Sequence, residues 1–533
     1  MQYLPDCFPG ITFYYILFQA KAERLSSFTK EALPMSQTVE SFQAYLKKMN
    51  HYQRVCALLS WDMYTKTPKQ GYEGMADALT YFSTQLFTLS TSDELQKLLD
   101  ALSQPEEFEQ LNEAMQYTVR YMKREFEKDQ RIPKEFFAEF VAAQSASMQA
   151  WEEAKRSSDF SLFAPHLEKM IDMTARQCAY TDPGRDVYEV LLDRYEEGMD
   201  SAAIDRVFEE LKQGLIPLVK QILAAPQPDD SKFHTHFDAD AQRKVQDLLL
   251  DYIGFSKEAG AVGESEHPFT LGFSMYDVRV TNHYYENDAL SAMFSAIHEG
   301  GHAIFQQNAR PDLEGTPAAD CRYMGIHESQ SRFYENILGR NRNFWLPVYP
   351  KIQELLPALK EISLEEFYRE INHVRNSFIR TEADEVTYCL HIIIRYEIEQ
   401  AIFRDHVPVS ELPALWNKKM QEYLQITPSC DSEGILQDMH WADASFGYFP
   451  SYLLGNIYDG MYLETLESEM GCVDTILAEG NVLTITKWLN TKIHQYGNLR
   501  LPKDVIEKVC GRDLSAKPLL DYFTRKYTAL YHL

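Results

Sequence analysis

The chain has no surplus of basic residues. Its 52 Lys+Arg stand against 79 Asp+Glu, a formal net charge of −27 over 533 residues. A surface of that sign repels phosphate backbones and anionic headgroups, which argues against nucleic acid and membrane surfaces as partners. Long apolar runs are also missing, since no uncharged stretch reaches the ~18 residues that a membrane-spanning helix needs. The eight cysteines (Cys7, Cys56, Cys178, Cys321, Cys389, Cys430, Cys472 and Cys510) are scattered with no C-x-x-C pair. That spacing argues against a disulfide framework or a thiolate zinc site, and for free thiols in a reducing, cytoplasmic setting. Glycine and proline, at 23 each, are too few for a collagenous or low-complexity chain.

What is present is an ordinary globular mixture, 45% hydrophobic and 25% charged, in a chain long enough to bury a large core. Residues 7–20 are apolar but follow Asp6, with no basic leader and no small-residue cleavage site after them. Residues 1–34 are expected to be an upstream extension or a misassigned start, with Met35 opening the folded segment. From Ser36 to Ala225 the pattern is helical. Phe42, Tyr45, Leu46, Met49 and Tyr52 recur at helical spacing, and similar stripes run through 108–128, 135–155 and 201–223. A Pro- and Asp-bearing stretch at 224–242 reads as a loop. Beyond it, Asp277-Val278-Arg279-Val280-Thr281 alternates polar and apolar, as a half-exposed strand does, so a short sheet is expected there.

The most informative helix is expected from about Asn287, a good N-cap, to about Asn308, with Leu290, Met293, Phe294, Ile297, Ile304 and Phe305 as its buried stripe. It contains His298-Glu299-Gly300-Gly301-His302. Positions i and i+4 share a helix face, so both imidazoles can reach one ion, and Glu299 lies beside them as a candidate general base. Gly300 and Gly301 each cost ~1 kcal/mol relative to Ala in a helix. Tight helix packing and substrate access explain them equally well. A third ligand must come from elsewhere. Gly325-Ile326-His327-Glu328-Ser329-Gln330-Ser331-Arg332 offers two adjacent candidates, of which one helix face can present only one. Glu328 also has Arg332 as an i,i+4 partner, so an ion pair competes with ligation as its role.

Six separated motifs then appear in order: His267-Pro268-Phe269; Asp277-x-Arg279-x-Thr281; His298-Glu299-x-x-His302; His327-Glu328-Ser329-Gln330; Ile379-Arg380-x-x-Ala383-Asp384; and Gly434-x-x-Gln437-Asp438-x-His440-Trp441. Phe446-Gly447-Tyr448-Phe449-Pro450 follows. From about residue 40 to the C-terminus the chain resembles the M32 metallocarboxypeptidases, the thermostable carboxypeptidase type. The resemblance implies a mainly α, single-unit fold with a deep central groove and a small sheet near the H-E-x-x-H helix. Residues 35–533 would form it, 35–230 covering the groove and 231–533 carrying the metal site. The resemblance implies a zinc- or cobalt-dependent homodimer that removes residues one at a time, with broad specificity, from peptides with a free C-terminus. It also selects Glu328, not His327, as the third ligand.

Roles for the remaining motif residues follow from the reaction. His440 and Tyr448 are candidate donors to the developing oxyanion, although either could be a core residue. Arg380 is the candidate anchor for the substrate carboxylate. It is expected on a long helix opened by the capping box Ser363-x-x-Glu366, with Asp384 one turn on as its i,i+4 partner. The alternative for Arg380 is a plain surface ion pair. The strand 277–281 would pair with an extended substrate, placing Asp277, Arg279 and Thr281 on one face. Gln437 would bond substrate, Asp438 would orient a ligating histidine, and His267 would shape the loop before Pro268 or touch substrate. An endopeptidase and a non-catalytic metal-stabilised binding protein are the rival readings. Arg380 argues against the first, and an intact Glu299 against the second.

Overall fold

The computed structural model describes residues 36–320 and 322–533; the expected extension, residues 1–34, lies outside them. The described residues are mainly α-helical, 69% helix with a three-stranded sheet. Among the described residues no helix is long and apolar enough to cross a membrane, and six cysteines are free thiols.

The elements that build the site are few. Helix α1 (Gln37–Thr65) opens the described chain, capped by Ser36, whose side chain accepts from Val39 N–H. Phe42, Tyr45, Leu46 and Met49 are buried, as their spacing predicts. The loop at 225–238 leads into α2 (Ala239–Ile253), and then into β1 (Gly260–Glu264), β2 (Thr270–Ser274) and β3 (Asp277–Asn282). Helix α3 (Ala289–Gln307) carries H-E-x-x-H. Its cap is Asp288, which accepts from Ser291 N–H at 3.1 Å, one residue beyond the expected Asn287. Helix α4 (Met324–Arg332) runs straight into a π-helical turn, Phe333–Leu338. Helices α5 (Leu364–Glu370), α6 (Thr387–Phe403) and α7 (Phe449–Met470) complete the frame.

One large core is shared by residues from Phe136 to Tyr531, and a smaller one joins Val39 to Phe126. Two glycines bring backbones together around α4. A Cβ on Gly301 of α3 would stand 2.6 Å from the Gln330 carbonyl, and one on Gly455 of α7 would stand 3.0 Å from Ser329 N. Helix α4 is thus pressed between α3 and α7. Gly300 faces α2, where a Cβ would meet Ile253 at 2.6 Å. Close helix packing therefore accounts for both glycines of the motif.

The sheet order is β1-β3-β2, with β1 parallel and β2 antiparallel to β3. Val278 and Val280 are buried. Asp277, Arg279 and Thr281 share the other face, as alternation predicts. However, β3 is the central strand, so its backbone groups are already paired on both sides. An extended peptide cannot add to it, and that expectation is corrected.

Arg380 does not lie on the expected long helix. The capping box at Ser363 and Glu366 is present, but α5 stops at Glu370. Arg380 opens an isolated 3₁₀ turn, Arg380–Glu382. Polar side chains capture the intervening backbone. Ser377 Oγ accepts from Ile379 N–H, and Asp384 accepts from the amides of Arg375, Val386 and Thr387. Local bonds of this kind compete with helix continuation. Asp384 therefore anchors the segment before α6 and is not a helical i,i+4 partner of Arg380.

Candidate functional site

On α3, His298 and His302 lie one turn apart, with ring centroids 4.9 Å from each other. Glu328 comes to them from α4. One ligand atom from each of His298, His302 and Glu328 lies within 4.8 Å of the other two, and His302 Nε2 is 3.6 Å from Glu328 Oε2. The i,i+4 ion pair that competed for Glu328 is also present. Arg332 Nε donates to Glu328 Oε1 at 2.7 Å. The two readings of Glu328 are compatible, because one oxygen takes the guanidinium and the other faces His302. His327 points elsewhere: its ring packs 4.2 Å from His302, its Nε2 lies 3.1 Å from Gln306 Nε2, and burial pulls its pKa down to about 4.

The donor set suits a metal ion. Two imidazoles and a carboxylate, with a fourth position for water, match a catalytic zinc site. Two observations make the fit specific. His298 Nδ1 lies 2.8 Å from Glu335 Oε2, an arrangement that places the proton on Nδ1 and turns the Nε2 lone pair toward the ligand set. His302 Nε2 faces Glu328 Oε2 at 3.6 Å, too far for a hydrogen bond and about the spacing of two ligands on one ion.

Glu335 is a residue that sequence reasoning did not single out. It sits on the π-helical turn, bonded to Arg332 Nη1 at 3.2 Å as well as to His298. Burial would raise its pKa, but Arg332 and the His298 contact hold it well below the usual carboxylate range. The signal was the run Glu328, Arg332, Glu335, which repeats at helical spacing. Glu335→Gln keeps the shape and removes the charge. It is expected to weaken metal binding by about 10–100-fold, measured by competition against a chromophoric chelator.

Glu299 is 7% exposed and lies beside the ligand set. Thr270 Oγ1, from β2, donates to its Oε2 at 2.6 Å, and burial raises its pKa. Nothing in the sequence marked Thr270, since its role depends on where β2 lies against α3.

Arg380, Gln437 and Asp438 form a second, adjoining cluster. Arg380 is 5% exposed; its Nε donates to Asp438 Oδ1 at 3.0 Å and its Nη1 to Tyr388 OH at 3.3 Å. Burial at this level separates it from a plain surface ion pair. Arg395, fully buried, shares Asp438 through Oδ2. Asp438 therefore orients two arginines and not a ligating histidine, which corrects its expected role; Glu335 holds His298 instead. The Gln437 carbonyl oxygen accepts from Arg380 N–H at 2.9 Å and from Arg395 Nη2 at 2.7 Å. Its amide nitrogen donates to Phe378, Glu433 and Gly434 carbonyls, so this side chain is occupied within the fold. Tyr388 links the clusters, with the Arg332 guanidinium 4.4 Å from its ring.

His440 is 1% exposed, packed 4.4 Å from Phe449, with Nε2 3.3 Å from Tyr452 OH. Burial lowers its pKa to about 3, so it is neutral. The Tyr448 ring lies 4.9 Å from Tyr195 and 4.8 Å from Tyr452. Burial, and then the Glu328 charge, push its phenol pKa well up. Asp277 and Arg279 are paired with each other at 2.9 Å, and the Arg279 guanidinium lies 4.1 Å over Phe273. His267 lies in the β1–β2 connection, its carbonyl accepting from Ser265 Oγ at 2.5 Å.

Known proteins match this chain over most of its length. The model of the Carboxypeptidase Taq (M32) metallopeptidase family matches residues 41–527. "Carboxypeptidase 1" of Bacillus subtilis is 44% identical over 496 residues, covering 93% of this chain and 99% of that protein. "Thermostable carboxypeptidase 1" of Thermus thermophilus is 35% identical over 486 residues, covering 89% and 95%. The crystal structure of an M32 carboxypeptidase from Deinococcus radiodurans R1 has a TM-score of 0.90 at 30% identity, covering 93% of this chain and 100% of that one. A match of this length, with the same mainly helical architecture, means that the chain belongs to the M32 metallopeptidase family and is a metallocarboxypeptidase.

Proposed function

We propose that this enzyme is zinc-dependent, acts as a cytoplasmic homodimer, and releases single residues with broad specificity from the free C-terminus of peptides. His298, His302 and Glu328 are its metal ligands and Glu299 its general base. The observation that carries this reading is the convergence of those three ligand atoms within 4.8 Å beside a buried carboxylate. A zinc ion there, or cobalt with the same donors, would supply Lewis-acid polarisation of the scissile carbonyl and an activated water.

The protein's own groups divide the remaining work. Thr270 fixes the Glu299 carboxylate, and its burial makes it a stronger base than a solvated one. Glu299 takes the proton from the attacking water and passes it to the departing amine nitrogen. Arg380 receives the substrate carboxylate through paired N–H donors, with Asp438 and Gln437 holding it from behind. Tyr448, kept protonated by burial, and neutral His440 are the donors for the developing oxyanion.

The test is a mass-spectrometric time course on one N-blocked peptide, as free acid and as C-terminal amide, with and without chelator. The expected result is a ladder shortened stepwise from the free C-terminus, stopped by amidation and by chelation. Internal fragments from both peptides would make the enzyme an endopeptidase and remove Arg380's role. Arg380→Ala is expected to lower kcat/KM on the free acid by about 30–1,000-fold, the size of a lost charge-assisted pair. A residual reaction on the amide should be spared. Equal loss on both substrates would show that Arg380 only supports the fold.

A further inference from the structure

A second group of ligand-bearing side chains lies away from α3, where the 225–238 loop meets the end of α5. Asp230, Glu370 and His373 each place one ligand atom within 4.8 Å of the others. Asp230 is on the loop, Glu370 is the last residue of α5, and His373 follows it in the segment leading to Arg380. His373 Nδ1 and Glu370 Oε2 face each other at 3.6 Å, on side chains only 9% and 7% exposed. That separation is beyond hydrogen-bond range, and both atoms are buried without a hydrogen-bond partner.

The two atoms face each other as a loose i,i+3 pair, each buried without a hydrogen bond, and that opening suits a group placed between them. A divalent ion meets the geometry, since atoms 2.0–2.1 Å from a tetrahedral centre lie about 3.4 Å apart. The same 3.6 Å separates His302 Nε2 from Glu328 Oε2 in the catalytic ligand set. Arg375 does not fill the position. Its Nη2 donates to Asp230 Oδ2 at 2.7 Å and to Glu370 Oε1 at 2.9 Å, so it uses the Glu370 oxygen that does not face His373. One guanidinium against two carboxylates leaves a negative balance within the cluster.

We infer that Asp230, Glu370 and His373 form a second, non-catalytic site for a divalent cation of borderline softness, such as zinc or cobalt. Its occupant ties the 225–238 loop to the segment between α5 and α6. That segment presents Arg380, and Arg375 N–H bonds Asp384 Oδ2 within it at 3.2 Å. The ion would thus brace the carboxylate anchor from outside the active site.

The experiment is a cobalt titration of the chelated full-length chain, followed by ligand-field absorption, with metal content measured after desalting. The wild type is expected to take two equivalents. A His298→Ala/His302→Ala variant should keep one. Asp230→Asn should retain the catalytic equivalent and bind the other about 10-fold or more weakly. Asp230 is on a loop and its side chain is 35% exposed, so this variant spares the core. Glu370→Gln/His373→Gln should lose the second equivalent outright. The inference fails if the wild type takes one equivalent, if His298→Ala/His302→Ala takes none, or if Asp230→Asn binds both equivalents as tightly as the wild type.

Discussion

Glu299→Gln is expected to lower kcat by about 10²–10⁴-fold, the range for loss of a positioned general base, with metal content at the wild-type level. The substitution preserves volume, and Thr270 Oγ1 still has the Glu299 backbone carbonyl at 3.0 Å as well as the side chain at 2.6 Å. The helix and both imidazoles should therefore stay in place. What is removed is the proposed acceptor for the water proton, because an amide is not a base at neutral pH. Steady-state kinetics paired with metal analysis of the same preparation separates the roles. Turnover lost with metal retained assigns Glu299 to proton transfer. Metal lost in parallel would make it part of the ligand set, and unchanged turnover would place the base elsewhere.

Asp438→Asn is expected to destabilise the enzyme by about 3–5 kcal/mol, the cost of breaking a buried ion pair from one side. Asp438 stands between Arg380 and Arg395, whose side chains are 6% and 0% exposed. The amide would leave two guanidiniums facing each other without a carboxylate. Arg395 already feels this, since burial and the Arg380 charge bring its pKa down to about 10 against the pull of Asp438. Burial alone would raise the Asp438 pKa, but Arg395 and Arg380 hold it well below the usual carboxylate range. A depressed folded pKa means that the stabilisation is complete above the unfolded value of ~3.9 and fades as the pH falls below it. Urea unfolding at neutral pH checks the prediction through a lower midpoint at constant slope. A shift under about 1 kcal/mol, the value of an exposed pair, would show that the arginines find other compensation.

The proximity of the two histidines and of Glu299 was legible because it is local. His298, Glu299 and His302 are related by helix geometry, and the stripe of Met293, Ile297, Ile304 and Phe305 that buries α3 is written at the same period. The strand at 277–281 was legible for the same reason, whereas the loop read at 224–242 is shorter, because Asp238 caps a helix that begins at Ala239. The segment from Ser363 to α6 was misread as one helix because its composition permits a helix. The Asp384 and Ser377 bonds that interrupt it become visible only with the backbone in place.

By itself, then, the sequence determined what successive turns of one helix or alternate positions of one strand can share: the His298–His302 face, the placing of Glu299 beside it, and the common face of Asp277, Arg279 and Thr281. Everything that joins distant segments was decided by the tertiary structure. Only packing of α4 against Gly301 and Gly455 turns Glu328 Oε2 toward His302 and His327 Nε2 toward Gln306. Only the position of β3 between β1 and β2 closes it to a peptide. Asp438 belongs to Arg380 and Arg395, and Glu335 to His298, because burial leaves each charge to pair with whatever opposite charge the fold brings within reach.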